Sequence, residues 1–270
     1  MSRLTCNREL LEYELFGPNS GVTAFSTTRK GGYSKGKYAS FNCSPYCGDD
    51  AADVRQNFQH LSALLPVMPR DWVIPQQVHD TKILSIGKEY ASLCQLEKDK
   101  LLNGVDALVT SEYGICLCVS TADCIPLFFY DSVQKIVAVA HAGWRGTVNR
   151  IATKTVESMR EWYGSKAEDL RVAVGPGISM EAFEVGVDVY ETFREAGFPM
   201  DKVARWYRPS AKWHIDLWAA NGWLLQEAGV QREQIEFSGV YTYLQCEDFF
   251  SARRLGIKSG RILSGIMLNM

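Results

Sequence analysis

Six short runs with strand character follow one another between residues 72 and 140, and they constrain the fold more than any other feature of the chain. They are Trp72 to His79, Lys82 to Ile86, Ala107 to Thr110, Ile115 to Val119, Ile125 to Tyr130 and Ile136 to Ala140. The last is wholly apolar and is bounded on each side by turn residues, the pattern of a sheet core. Cys116 and Cys118 lie two apart in such a run, so both point to one face and serve as core filler.

Strands cluster in the middle of the chain, and helices lie toward both ends of it. Val22 to Thr27 has strand character, and the Gly-, Ser- and Lys-rich stretch that follows it reads as a long loop, a common place for function. From Asp50 to Leu65, Val54, Phe58, Leu61 and Leu65 recur at helical intervals behind an acidic start, which leaves His60 off the stripe as a surface residue. Thr147 to Trp162 reads as a helix with Ile151, Thr155, Met159 and Trp162 on one face and Gly164 as its stop. Arg171 to Val174 is a short strand ending in a Gly-Pro-Gly turn. The last third alternates helices (Val187 to Ala196, Leu217 to Ala228) with strands near Trp213 to Ile215, Ile235 to Phe237 and Ile262 to Leu268. This order fits α+β better than a regular βαβ alternation and predicts one domain over residues 1–270, with packed mixed sheets covered by helices.

Composition narrows the function. With 29 Lys and Arg against 31 Asp and Glu, the chain has no electrostatic footprint for nucleic acid. Glu9, Glu12 and Glu14 break the apolar runs at the start before they reach signal-peptide length, and nothing approaches the roughly 18 apolar residues of a membrane span. The expectation is a cytoplasmic protein, with its eight cysteines as reduced thiols.

Of four histidines, His79 and His141 close β-type runs, and between them Cys124 opens another directly after Thr121-Ala122-Asp123. Two imidazoles and one thiolate are a complete three-ligand set for a catalytic zinc with a fourth position left for water. Their separation is unlike that of a zinc finger, and taken singly a strand-end His is as a rule a hydrogen-bonded core residue and a buried Cys is packing. Around His141 the chain reads His-Ala-Gly-Trp-Arg-Gly-Thr, where the glycines permit close approach of a ligand and the following helix start, with Arg145 beside it, faces an anion.

The segments Gln76 to Asp80, Val105 to Thr110, Ser120 to Asp131 and Ala140 to Thr147 resemble the signature blocks of the bacterial YfiH-like family. That family is called both a multicopper polyphenol oxidase laccase domain and a purine nucleoside phosphorylase. The resemblance extends to Thr28 to Ser34 with Ser40-Phe41-Asn42, and to Phe249 to Arg254 with Ser259-Gly260-Arg261, so that it spans nearly the whole chain. It implies an α/β/β/α layered fold, His79, Cys124 and His141 as metal ligands, zinc with copper as the alternative, and a possible homodimer. It also implies activity on purine nucleosides: phosphorolysis of adenosine, inosine and methylthioadenosine with phosphate as co-substrate, and hydrolytic deamination of adenosine. Tyr241-Thr242 stands where family members commonly carry Cys-Thr, and Ala252 where they carry an aromatic or His, so pocket chemistry departs from the pattern there.

Phosphorolysis requires phosphate to be held while the leaving base gains negative charge, and arginine forks suit that task. Arg29, Arg145, Arg254 and Arg261 are the candidates, with Asn42 and Gln76 as further substrate contacts. Asp123 is a candidate to orient a ligand imidazole or to act as an acid on the base. Three other readings use the same residues. A copper oxidase is one, although only His60 and His214 remain for further copper ligands. The others are a metal-free Cys-His hydrolase and a module held by a structural zinc, which needs a fourth protein ligand.

Overall fold

The computed structural model describes residues 2–17 and 19–269. Its centre is a pair of six-stranded mixed sheets. The first has the order β1 (Arg3–Leu4), β2 (Leu10–Glu12), β3 (Val22–Thr27), β15 (Ile262–Leu268), β7 (Ile115–Thr121) and β4 (Asp71–Val73). The second has β14 (Ile235–Phe237), β10 (Leu170–Val174), β8 (Ile125–Asp131), β9 (Ile136–Ala142), β6 (Ala107–Thr110) and β5 (Ile83–Ser85). Pairing is antiparallel except between β4 and β7, β5 and β6, and β10 and β14. A small third sheet has the order β11 (Glu184–Val185), β13 (Lys212–Ile215) and β12 (Ala204–Tyr207).

The apolar runs are continuous because both faces of the central strands are buried. Side chains alternate between faces. In β9, Ile136, Ala138, Ala140 and Ala142 face one core, whereas Val137 and Val139 face another shared by the two sheets. In β7, Ile115, Leu117 and Val119 enter the core between the sheets. Cys116 and Cys118 fill the opposite one, fully buried with their sulfurs 3.7 Å apart.

Helices close the outer faces. α1 (Ala51–Leu64) covers the first sheet, with Leu61 packed against Phe25, Cys116 and Met267. Asp50 caps it, its Oδ1 accepting from the N–H groups of Ala52 (2.7 Å) and Asp53 (3.4 Å). α4 (Ile151–Tyr163) and α7 (Leu217–Glu227) cover the second sheet. Shorter helices are α2 (Gln95–Leu102), α3 (Trp144–Val148), α5 (Val187–Glu195), α6 (Met200–Val203) and α8 (Ala252–Leu255). The result is the α/β/β/α layering expected, and among the described residues no helix is long and apolar enough to cross a membrane.

Several expectations need correction. The run Trp72 to His79 is a strand only as far as Val73, because Pro75 lacks an N–H for a ladder and the chain then curls into a loop in which His79 has φ 65°. The helix expected over Thr147 to Trp162 is two helices, broken where Arg150 takes a left-handed φ of 64°. Ile151, Thr155 and Met159 are buried on the expected face beside Ala152 and Val156, but Trp162, in the last turn, is 46% exposed. His60 is not a free surface residue: its Nε2 lies 2.8 Å from Glu9 Oε1, and its ring packs on Phe41.

Candidate metal centre

Three separate parts of the chain deliver His79, Cys124 and His141 to one rim of the paired sheets. His141 is the penultimate residue of β9 and continues the row of Val137 and Val139, which directs it to the side where the sheets meet. Cys124 belongs to the turn that carries the chain from β7 in one sheet to β8 in the other. Pairing of Ile125 with Ala142 sets that turn beside Gly143. His79 comes from the loop after β4, and its position is fixed by a residue the sequence reading did not single out.

That residue is Asp106, fully buried just before β6. Its Oδ1 accepts from His79 N (3.0 Å) and lies 2.8 Å from His141 Nδ1, while Oδ2 accepts from Val78 N (3.1 Å) and Asp80 N (3.0 Å). One carboxylate therefore shapes the His79 loop and orients the His141 ring, leaving its Nε2 for the cleft. Burial pushes the Asp106 carboxyl up, but the hydrogen bond and charge of His141 and the amides of Asp80 and Val78 outweigh it and hold the group below the usual range. A depressed carboxyl stabilises the fold fully at neutral pH, and that contribution disappears as pH falls through its lowered value.

The thiol and imidazole act on each other. Burial alone raises a thiol, as it does strongly at Cys43. At Cys124 the desolvation is overcome by the charge and hydrogen bond of His141 and by His79, which bring it down to about 6. Burial works against a charged His141, yet the Cys124 thiolate and Asp106 raise it to about 9. Without a metal, the pair is thus a thiolate and an imidazolium at neutral pH.

The three donor atoms lie within 4.8 Å of one another, and the two imidazole rings meet edge to face at 4.6 Å. His141 is buried, Cys124 half-buried and His79 exposed, so the cluster is closed on its inner side and open on the other. Two nitrogens and one sulfur around an open position suit a catalytic zinc. Gly143 makes room for them: a Cβ there would lie 3.0 Å from both Cys124 Sγ and His79 Cδ2.

The cluster forms one wall of a cleft of ≈ 710 Å³, a size suited to a small organic ligand. Trp144, Ile178 and Phe183 give the cleft apolar surface, and Arg253 and Arg261 supply cations. Gln76 and Asp123 also line it. Asp123, however, does not touch the imidazoles. Its carboxylate accepts from Thr242 Oγ1 (2.7 Å) and Arg253 N (2.7 Å), bracing the segment around α8.

Other candidates fall outside the cleft lining. Arg29 directs its guanidinium at the carbonyls of Ala39 and Cys246, and Asn42 is buried in bonds to Asp49, Cys47 and Arg261 N. Both brace loops. Arg145 lies over the Trp144 ring at 4.2 Å, and Arg254 donates to the Tyr243 hydroxyl (3.2 Å). Of the positions that depart from the family pattern, Ala252 lines the cleft, buried Thr242 supports it through Asp123, and Tyr241 packs near Trp218. Asp106 was legible as an acidic residue entering an apolar run, and Arg253 only as the neighbour of Arg254.

A family model described as multi-copper polyphenol oxidoreductase laccase matches residues 23–269. The chain belongs to this laccase-like family. Within that family it is 46% identical over 269 residues to a protein of Bacteroides thetaiotaomicron named purine nucleoside phosphorylase, with 100% of each chain covered. It is 43% identical over 246 residues, 91% of this chain and 94% of the other, to adenosine deaminase RL5 from an unknown prokaryotic organism. Among solved structures, the Bacillus licheniformis hypothetical protein YfiH superposes with a TM-score of 0.91 at 31% identity, covering 99% of both chains. The laccase-like fold and its mixed sheets are therefore shared with this chain along its length. Relatives matched along nearly the whole chain are thus named as a purine nucleoside phosphorylase and as an adenosine deaminase.

Proposed function

We propose that the chain is a metal-dependent purine nucleoside enzyme. It cleaves adenosine, inosine and methylthioadenosine with phosphate to the free base and the sugar 1-phosphate, and it deaminates adenosine with water. The observation that carries this reading is the convergence of His79, Cys124 and His141 at an open cleft, in a chain matched end to end by a relative named purine nucleoside phosphorylase. These three side chains would hold the ion, zinc in preference to copper, since four histidines in the whole chain leave two for any further copper site. A bound ion supplies Lewis acidity and a water of lowered pKa, which suits attack on C6 of adenine.

The chain's own residues do the rest. Asp106 holds His141 in one orientation, so that Nε2 and not Nδ1 is presented to the ion. Trp144 and Phe183 offer flat apolar surfaces for a purine and exclude water around it. Asp123 fixes Arg253 by its backbone N–H. In phosphorolysis a phosphate oxygen bonds to C1′ while the C1′–N9 bond breaks, and its electron pair leaves with the base, which is protonated on a ring nitrogen. In deamination water adds its oxygen to C6, and the amino group departs as ammonia. Supplied with adenosine and phosphate, the purified protein yields adenine and ribose 1-phosphate; without phosphate it yields inosine and ammonia. Failure to form any of these products removes the reading.

The thiolate–imidazolium pair favours one other chemistry, a metal-free Cys-His hydrolase. Relative to the unfolded chain, Cys124 has lost a proton and His141 has gained one between about pH 6.5 and 9. Both shifts stabilise the fold, but the proton counts cancel, so stability is flat with pH across this window and reactivity reports the pair. In chelator-treated protein, iodoacetamide modification of Cys124 rises through a transition near pH 6 instead of 9, and reloading with zinc slows it by about tenfold or more. Catalytic activity that survives the chelator, with alkylation indifferent to zinc, would support the hydrolase instead.

A further inference from the structure

We infer that Gln77 is a positioning residue for the metal centre: its side-chain amide stands in for a rung of β-sheet and fixes where His79 lies relative to Cys124. The inference rests on the metal-site reading of His79, Cys124 and His141, and it goes beyond that reading by naming what holds two of the three together.

The need for such a residue arises where β4 ends. β4 runs parallel to β7, with Asp71 beside Ile115, Trp72 beside Cys116 and Val73 beside Leu117. Continued in that register, the strand would bring Gln76 beside Ser120, but Pro75 intervenes and the main chain departs toward His79. The edge of β7 is thereby left with main-chain groups to satisfy at Ser120. Gln77 satisfies both: its Nε2 donates to Ser120 O (3.1 Å) and its Oε1 accepts from Ser120 N (2.7 Å). A primary amide carries an acceptor beside its donors, as a peptide group does, so the side chain completes the edge that the backbone has vacated. Gln77 borders the cleft, yet its amide is turned to the main chain of β7.

The clamp joins the two ligand-bearing segments close to the ligands themselves. Ser120 is four residues before Cys124, and Gln77 is two before His79. The other hydrogen bonds of this loop lead toward the second sheet. Gln76 N donates to Leu102 O (3.1 Å), Gln76 O accepts from Gly104 N (3.0 Å), and the amides of Val78, His79 and Asp80 go to Asp106. Gln77 is thus the tie to the first sheet, whose strand β7 runs into the Cys124 turn. His79 depends on such ties more than its neighbours in the cluster do. Its side chain is exposed, and its φ of 65° lies in the left-handed region, which a residue with a Cβ adopts only where the surroundings hold it there. Among the described residues no carboxylate backs its ring as Asp106 backs that of His141.

Metal binding by two Gln77 variants tests the assignment. Gln77→Leu removes both hydrogen bonds, and Gln77→Glu keeps the acceptor for Ser120 N while setting a carboxylate oxygen against Ser120 O. Competitive zinc titration is expected to show affinity lowered about tenfold or more in each. In the cobalt-substituted proteins the thiolate-to-cobalt absorption and the ligand-field bands shift from those of the parent, because the His79 imidazole is no longer held in its place. Asp216→Ala, which removes the cap of α7 on the outer side of the second sheet, is the control. It lowers the denaturant midpoint but leaves zinc affinity within twofold of the parent and the cobalt spectrum unchanged. Where Gln77→Leu does not fold, Gln77→Glu, which keeps the shape, decides the matter. Parent-like zinc affinity and cobalt spectrum in a folded Gln77 variant, even with a lowered midpoint, would mark a residue that only stabilises the loop and would overturn the inference. Neither readout requires turnover. A protein that binds metal as expected but leaves nucleosides intact keeps the positioning role and removes the enzymatic reading, whereas a parent that takes up no zinc removes both.

Discussion

Replacing Cys124 by alanine lowers kcat/KM for adenosine phosphorolysis by on the order of a thousandfold or more, equivalent to about 4 kcal/mol of transition-state stabilisation. The size follows from what the sulfur contributes. It is the only thiolate of the cluster, and its loss leaves two imidazoles with nothing to neutralise an ion. Folding is not the cause of the loss. Cys124 is half-buried in a turn, whereas the cores are built from β-strand rows on either side of it. The variant therefore keeps its far-ultraviolet circular dichroism and loses bound metal and turnover together. Steady-state kinetics beside metal analysis of the same preparation reads both. Turnover within tenfold of the parent, in protein that has lost its metal, would show that the ion takes no part in the chemistry.

The second large effect is expected at Asp106, which contacts neither the cleft nor a substrate. Changing it to asparagine keeps the shape but not the acceptors. Oδ1 serves His79 N and His141 Nδ1, while Oδ2 serves Val78 N and Asp80 N. Whichever way the amide is turned, its NH2 group meets two N–H donors, and the charge that steadies His141 is gone. Loss of a buried pair of this kind costs about 3 kcal/mol of stability, and loss of the oriented ring weakens metal binding by about 10- to 100-fold. Denaturant unfolding of the metal-free variant measures the first, and competitive zinc titration the second. Parent-like values in both would mean that the His79 loop is held by something other than this carboxylate.

What could be read from the sequence, and what could not, divides along physical lines. The strands β7, β8, β9 and β15 announce themselves because burial on both faces makes them continuous apolar runs. Helix α1 is visible from its acidic cap and its three- and four-residue spacing. The strand expected at Trp72 to His79 stops at Val73, before Pro75, and the loop beyond it is shaped by a carboxylate 27 residues downstream of His79 that gathers its amides, an interaction that no local pattern encodes. The same distance in sequence hid the role of Asp106, visible only as an acidic residue entering an apolar run. Arginine roles were the least legible, since a guanidinium committed to backbone carbonyls at Arg29 and one with free donors at Arg261 look alike as letters. Convergence of His79, Cys124 and His141 was expected through the family resemblance, and the pairing of β8 with β9 supplies its geometric reason.

X-ray absorption spectroscopy at the metal edge of the purified, catalytically active protein tests the account at its centre. The expected result is one ion per chain with a single sulfur neighbour at about 2.3 Å and two imidazole nitrogens at about 2.0–2.1 Å, the sulfur disappearing in Cys124→Ala. An active protein free of metal, or an ion surrounded only by nitrogen and oxygen, would contradict it.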